Sequence, residues 1–412
     1  MRTIKVYDFN KKAKNSLLKK LSQEEQEFIK KKAIKYYFSS QELKNIVDIA
    51  IDLSMWQEGS IESLWIDFED KKSVIKELKK KYEEIKNSLK SYENFKIDKE
   101  KTHKISFVTI DKKLGFGLCP VASLKTRCCN LWTLDMVESC GFDCSYCSIQ
   151  SFYNEDTITF NANLKEKLLS LKLNQGEIYH IGTGQSSDSL MWGNRGGVLD
   201  ALFEFAKKNP NVILELKTKS DNVEYLLKSN YPKNIITTWS LNPQTIIEKE
   251  ERLTASLKDR LDAAKRIYDK GYLIGFHFHP MIYYKDWKRD YKEIFDFLVA
   301  SFDPKRVALV SFGTLTFIKP VIKKLRNRAL KSKILQMTLV ESAGKLSYPY
   351  EIKKEMFKFA YDSFKRWHNR VYFYLCMEDH SLWRDVFGRE YPTNESFEMD
   401  MKYNYLSKIK NL

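Results

Sequence analysis

Long apolar runs are missing from this chain. No stretch approaches the roughly 18 residues that a membrane-spanning helix needs, and mean hydropathy is −0.47, so no membrane partner is expected. The opening "MRTIKVYDFNKKAKN" has no apolar core. No signal peptide is therefore expected, and the location expected instead is the cytoplasm, where thiols stay reduced. Glycine is absent before Gly59 and proline before Pro120, so nothing interrupts long helices there. No repeat of solenoid period and no low-complexity linker occurs. Cysteine is scarce: seven in 412 residues, an odd number and clustered. That pattern argues for metal or redox chemistry and against a disulfide framework.

Negative charge is also in deficit. Seventy Lys and Arg face 54 Asp and Glu, a formal charge of +16. Such an excess attracts nucleic acid or other polyanions; the alternative is a Lys-rich, solvated surface. The surplus is not an N-terminal arm, because residues 1–100 hold 22 basic against 18 acidic side chains. The densest run is "KPVIKKLRNRALKSK", residues 319–333.

What is present divides the chain. Residues 11–100 carry helical spacing, as in "QELKNIVDIAIDLSMWQ" and the charged "KKSVIKELKKKYEEIKNSLKSY". From about residue 130, short β-like runs alternate with amphipathic helical stretches. The runs are 132–139, 177–184, 212–219, 235–242, 272–280 and 306–313, with a further one at 370–378. Six βα units predict an α/β fold with a parallel sheet, curled into a partial (βα)6 TIM-like barrel, with a doubly wound open sheet as the alternative. The expected division is an N-terminal helical region 1–105, the barrel 106–315 with a loop at 140–147, and a C-terminal extension 316–412.

Strand alternation adds a polar line. Glu215, Lys217 and Lys219 share one face, as do Thr238, Ser240 and Asn242, and Gly275, His277 and His279. Barrel interiors are ordinarily packed with branched apolar side chains. Polar lines predict an interior that holds a polar ligand; the alternative is a hydrogen-bond network. His180 reads as a satisfied core histidine.

The loop after the first run reads "VESCGFDCSYCSIQ" and holds Cys140, Cys144 and Cys147, spaced C-x3-C-x2-C. Structural zinc normally takes four ligands, often as two CxxC pairs, and there is no second pair. Adjacent Cys128 and Cys129 suit one tetrahedron poorly; with Cys119 they read as buried thiols, and Cys376 as core. Three thiolates on one loop suit a 4Fe-4S cluster with one iron left open for an external ligand.

This spacing, with the aromatic Tyr146 before the third cysteine and six βα units following, resembles radical S-adenosylmethionine enzymes. The segments "IGTGQSSDSL", "LELKTKSDNVEYLL", "TTWSLNPQTIIEKEE" and "VYFYLCMEDHSLWRDVFG" are similar to the spore photoproduct lyase branch, over about residues 105–390. The resemblance implies that the open iron chelates S-adenosylmethionine. One electron, from a donor such as flavodoxin or ferredoxin, then yields a 5′-deoxyadenosyl radical. It implies cofactor contacts at Tyr146, Gly182, Gly184, Ser187, Asp188, Lys219, Ser240 and Asn242, with His279 near adenine. DNA is the implied substrate, through a photoproduct lyase reaction. Two positions depart from the branch: Gln185 stands where the lyase has a hydrogen-donating cysteine, and Ser148 where it has a tyrosine. A radical reaction on another substrate, and a non-catalytic nucleic-acid-binding protein with a structural metal, are the alternatives.

Overall fold

The structure, a computed structural model, describes residues 7–97, 105–119, 125–148 and 156–412. The first six residues of the opening stretch, Pro120, and residues 149–150 of the cysteine stretch lie outside them. The chain forms two compact units, Met1–Glu100 with Phe317–Leu339, and Lys101–Thr316 with Val340–Leu412. Among the described residues no helix is long and apolar enough to cross a membrane.

The first unit is helical, as its spacing predicts. Ser39 and Glu42 cap helix Ser40–Trp56 reciprocally, satisfying its free amides. Its apolar stripe buries Leu43, Val47, Ala50 and Leu53 completely. Asp52 interrupts that stripe, and a partner from far along the chain explains it. Arg326, on helix Lys319–Arg328, donates from Nε to Asp52 Oδ1 at 2.7 Å and from Nη2 to Oδ2 at 2.6 Å. The Tyr82 hydroxyl adds a third bond at 2.6 Å. Residues 317–339, expected within the C-terminal extension, thus fold with the N-terminal helices. A paired buried carboxylate outweighs proximity in sequence.

The second unit is built on an eight-stranded sheet. Its strands are β1 (Gly115–Leu118), β2 (Trp132–Asp135), β3 (Tyr179–Thr183), β4 (Val212–Thr218), β5 (Ile235–Ser240), β6 (Ile274–Met281), β7 (Val307–Thr314) and β8 (Tyr372–Leu375). Each strand pairs with the next in sequence, β1 to β2 antiparallel and β2 through β8 parallel. The order never reverses, which removes the doubly wound alternative, since that fold needs a switch point. Helices Val198–Lys208, Leu257–Asp269 and Trp287–Ser301 occupy the crossovers. Strands covered on both faces become apolar throughout or paired, and β5 is buried along its whole length.

The polar line is largely a hydrogen-bond network. Glu215 on β4, 1% exposed, accepts from Thr238 at 2.8 Å and contacts His180 Nε2 at 2.9 Å and His277 Nε2 at 2.5 Å. His277 continues to Ser311 at 2.5 Å, and Ser311 to His279 at 3.0 Å. Burial raises the Glu215 carboxyl, but His277 and Lys217 outweigh it and hold it well below the usual range. Helix Asn394–Lys410 lies against β4, β7 and β8, with the Tyr405 ring edge-on to His180 at 5.4 Å.

Candidate active site

The cysteine loop leaves the C-terminal end of β2, the edge of a parallel sheet where active sites gather. Residues Asp143–Cys144 turn back to pair antiparallel with Glu251–Arg252. The Cys147 amide donates to the Cys144 carbonyl at 3.2 Å, closing a turn. At Gly141, a Cβ would lie 2.6 Å from Met191 Cε and 2.7 Å from the Trp192 ring. Only glycine lets the loop approach that close.

Cys144 is buried, and Cys140 and Cys147 are half-buried. Burial pushes the Cys140 thiol up to about 12, with Asp188 and Cys147 adding to the shift. Burial raises Cys144 further; Lys219 opposes the shift, while Glu251, Cys147 and Cys140 reinforce it. The three sulfurs thus lie within electrostatic reach of one another.

Two adjacent carboxylates clamp this loop. Glu250 accepts from the Ser145 hydroxyl, and its carbonyl accepts from the Ser145 amide at 2.8 Å. Glu251, 1% exposed, is the hub. Its Oε1 accepts from the Tyr146 hydroxyl, from Lys219 Nζ at 2.7 Å and from Asn242 Nδ2 at 2.7 Å. Its Oε2 lies 2.7 Å from the fully buried Arg260 guanidinium. Burial pushes this carboxyl up, but Lys219 and Arg260 outweigh it and hold it far below the usual range. The Lys219 ammonium also donates to the Tyr146 oxygen at 2.9 Å and sits 5.4 Å over that ring.

Three residues expected to touch a cofactor, Tyr146, Lys219 and Asn242, therefore meet on one acid. The Asn242 amide is engaged on both sides, because its Oδ1 also accepts from the Tyr291 hydroxyl at 2.6 Å. It acts here by holding Glu251. Ser240 is buried, its carbonyl is taken by Arg260 at 2.8 Å, and its hydroxyl has no partner among the described residues.

The facing wall follows β3. Asp188 Oδ1 accepts from the Leu190 and Met191 amides at 3.0 Å each and from Thr218 Oγ1 at 2.7 Å, and Oδ2 accepts from the Lys219 amide at 2.7 Å. These bonds tie the turn to the end of β4. Ser187 Oγ accepts from Trp192 Nε1 at 3.3 Å. Gly184 has φ +90°, and a Cβ there would lie 2.9 Å from the Lys217 carbonyl; a Cβ at Gly182 would meet Leu131 at 2.8 Å. Gln185 is half-buried, and its amide has no partner among the described residues. His279 belongs to the Ser311 network, and burial, then His277 and Lys217, lower its imidazole.

Among the described residues no three His, Cys, Asp or Glu side chains close into a metal cage. The donor set nevertheless suits iron and sulfide: three cysteines outside any disulfide, on one loop opened by a glycine. Sequence reasoning assigned no role to Glu250, Glu251 or Arg260. Segment Glu251–Arg252 is too short to carry strand periodicity, and only its pairing with Asp143–Cys144 reveals it.

Comparison with known proteins gives a consistent result. The family model described as "Spore photoproduct lyase" matches residues 61–364. A spore photoproduct lyase of Clostridium acetobutylicum is 26% identical over 45% of this chain and 55% of its own length. One from a Geobacillus species is 23% identical over 49% and 62%. The chain thus spans about half the length of the curated relatives it matches. A solved spore photoproduct lyase variant superposes with TM-score 0.57 at 21% identity, covering 65% of this chain and 81% of that one. Another, with bound AdoMet and dinucleoside spore photoproduct, gives 0.56 at 20%, covering 73% and 94%. These structures show a shared mixed α/β fold.

Proposed function

The chain belongs to the spore photoproduct lyase family, and through it to the radical S-adenosylmethionine superfamily, and on that premise we propose that it is a lyase-type radical enzyme acting on nucleic acid. The observation that carries the proposal is the loop of three cysteines outside any disulfide, clamped by Glu250 and Glu251 at the C-terminal edge of seven parallel strands. We read the unreversed strand order as a partial barrel around that edge.

In this reading Cys140, Cys144 and Cys147 hold a 4Fe-4S cluster. Together with S-adenosylmethionine, that cluster supplies one-electron cleavage of the sulfonium and hydrogen-atom abstraction. The protein's part is orientation. Glu251 fixes the Tyr146 phenol and the Lys219 ammonium beside the thiols. Lys219 presents positive charge toward a carboxylate, tempered by its existing ion pair. The Ser240 hydroxyl is available to bond a ligand, and Gly182 and Gly184 sit where β3 ends at the same edge. Asp188 positions Lys219 and the turn carrying Ser187, and His279 lines the interior. Seven cysteines outside any disulfide suit a reducing cytoplasm, where a flavodoxin or ferredoxin is the electron donor. DNA bearing a thymine photoproduct is the substrate.

A second reading rests on Gln185. Glutamine is a poor hydrogen-atom donor, which favours a radical reaction on a different substrate. Anaerobically reconstituted protein tests both readings. It is expected to be brown, to absorb broadly near ~400 nm, and to lose that colour in Cys144→Ala. With dithionite it should release 5′-deoxyadenosine from S-adenosylmethionine. Thymine recovered from irradiated DNA supports the lyase; 5′-deoxyadenosine without repair supports the second reading. Colourless, zinc-loaded wild-type protein refutes both and leaves a structural metal.

A further inference from the structure

Three basic side chains of the run 319–333 are engaged inside its own unit. Arg326 pairs with Asp52 and Lys333 with Glu58, and Lys331 donates to the Ser54 carbonyl at 3.1 Å. Positive charge is left uncompensated elsewhere, at the N-terminal edge of the parallel sheet and away from the cysteine loop. A cleft of about 900 Å³ opens there, bordered by Gly271 ahead of β6, Asp303–Arg306 ahead of β7, Arg370 ahead of β8 and the last turns of helix Asn394–Lys410.

Four cationic side chains line this cleft, Lys305, Arg306, Arg370 and Lys408, against one acidic side chain, Asp303, with Leu412 at its margin. Arg370 reaches Asp303 at 3.4 Å. The other contacts fix the cations without neutralising them. Lys408 Nζ donates to the Pro304 carbonyl at 2.6 Å. Arg306 donates to the Tyr268 carbonyl at 2.6 Å and stacks 4.0 Å from that ring. The Lys305 ammonium makes no ion pair among the described residues.

Two more cations stand behind them. Lys233 donates to the Gly271 carbonyl at 2.9 Å, and Lys270 to the Leu226 and Leu227 carbonyls at 2.7 Å each. Burial first, and neighbouring cations second, disfavour their charged forms. Burial, then Arg370, brings Lys408 down to about 8, with Asp303 opposing; burial, then Arg306, lowers Lys233; burial, then Lys233, lowers Lys270. Like charges held this close raise the free energy of the empty cleft, and an anion relieves it. Asn404, Ser407 and Asn411 add neutral polar groups along one wall.

We propose that this cleft binds phosphate groups, as a phosphodiester chain or a free phosphorylated compound, at a site separate from the cysteine loop. Guanidinium forks and ammonium groups on one wall, with amide and hydroxyl groups on another, match phosphate oxygens.

The test uses the full chain without reconstitution and compares wild type with Lys305→Glu/Arg370→Glu. Both replaced residues are exposed, and circular dichroism confirms folding. Lys19→Glu/Lys20→Glu, in the other unit, is a control with the same change in net charge. Binding of a fluorescein-labelled oligothymidylate is read by anisotropy across a salt series, and pyrophosphate by thermal shift. A phosphodiester ligand predicts at least a tenfold weaker oligonucleotide affinity in the cleft variant and a salt slope shallower by about 1.4, two phosphates at ~0.7 each for single strands, with the control unchanged. A free phosphorylated ligand predicts that pyrophosphate stabilises wild type and control but not the cleft variant, with oligonucleotide binding equal in all three. If neither probe separates the cleft variant from the control, the proposal is overturned.

Discussion

Replacing Glu251 by glutamine tests the hub of the site directly. The change keeps shape and one acceptor oxygen but removes the charge that neutralises Lys219 and Arg260, both at 2.7 Å. Removing one partner of a buried ion pair costs roughly 3–5 kcal/mol, because the other charge stays desolvated. Arg260 is fully buried but keeps three other acceptors: the Ala255 carbonyl at 2.9 Å, the Ser240 carbonyl at 2.8 Å and Thr254 Oγ1 at 2.6 Å. Lys219 keeps the Tyr146 oxygen and some access to water. Those contacts place the cost at the lower end, about 3 kcal/mol. At ~2 °C per kcal/mol for a unit of this size, the main melting transition should fall by about 6 °C. Adding Lys219→Met removes one stranded charge, so the double variant should lose at least ~1 kcal/mol less than the sum of the singles. Calorimetry and urea titration read both quantities. A Glu251→Gln melt within about 1 °C of wild type, or additive single variants, would refute the hub.

Three further outcomes follow from the same reasoning. Asp188→Asn sets an amide nitrogen against a backbone N–H at Lys219 or at the turn, and should cost about 1–3 kcal/mol, read as a lower urea midpoint. Because the folded Glu251 carboxyl lies below its unfolded value, its stabilisation is present above the normal glutamate range near ~4.3 and is lost as pH falls through the folded value. The stability gap between wild type and Glu251→Gln should therefore be flat from pH 7 to 5 and narrow below pH ~4, as urea titrations at each pH can check. In the first unit, Arg326→Met strands the buried Asp52 and should cost about 3–5 kcal/mol; Asp52→Asn in the same chain should recover part of that loss.

Much of the architecture was legible in local pattern. Apolar alternation gave the seven parallel strands to within a few residues, and helical spacing gave Ser40–Trp56 and Lys71–Asn87. The cysteine spacing singled out the loop that departs from β2. The roles within the site were less legible. Asn242 was expected at a cofactor, and the structure adds a task that no local pattern shows, since its amide also braces Glu251 and Tyr291. The polar face of β4 looked like a ligand wall, yet Glu215 is satisfied by Thr238 and two histidines. The run 319–333 looked like the basic surface, yet Arg326 and Lys333 are consumed within its unit.

The sequence by itself determined the elements, because a strand repeats every two residues and a helix every 3.6, and both periods are written along the chain. It also singled out the donor set, because three thiols fall within eight residues of one loop. Only the tertiary structure decided which charges are neutralised and which stay open. Ser145 and Glu250 are 105 residues apart, and Asp52 and Arg326 are 274 apart. No local period encodes such pairings; they arise when packing removes water and leaves each buried charge to find its opposite.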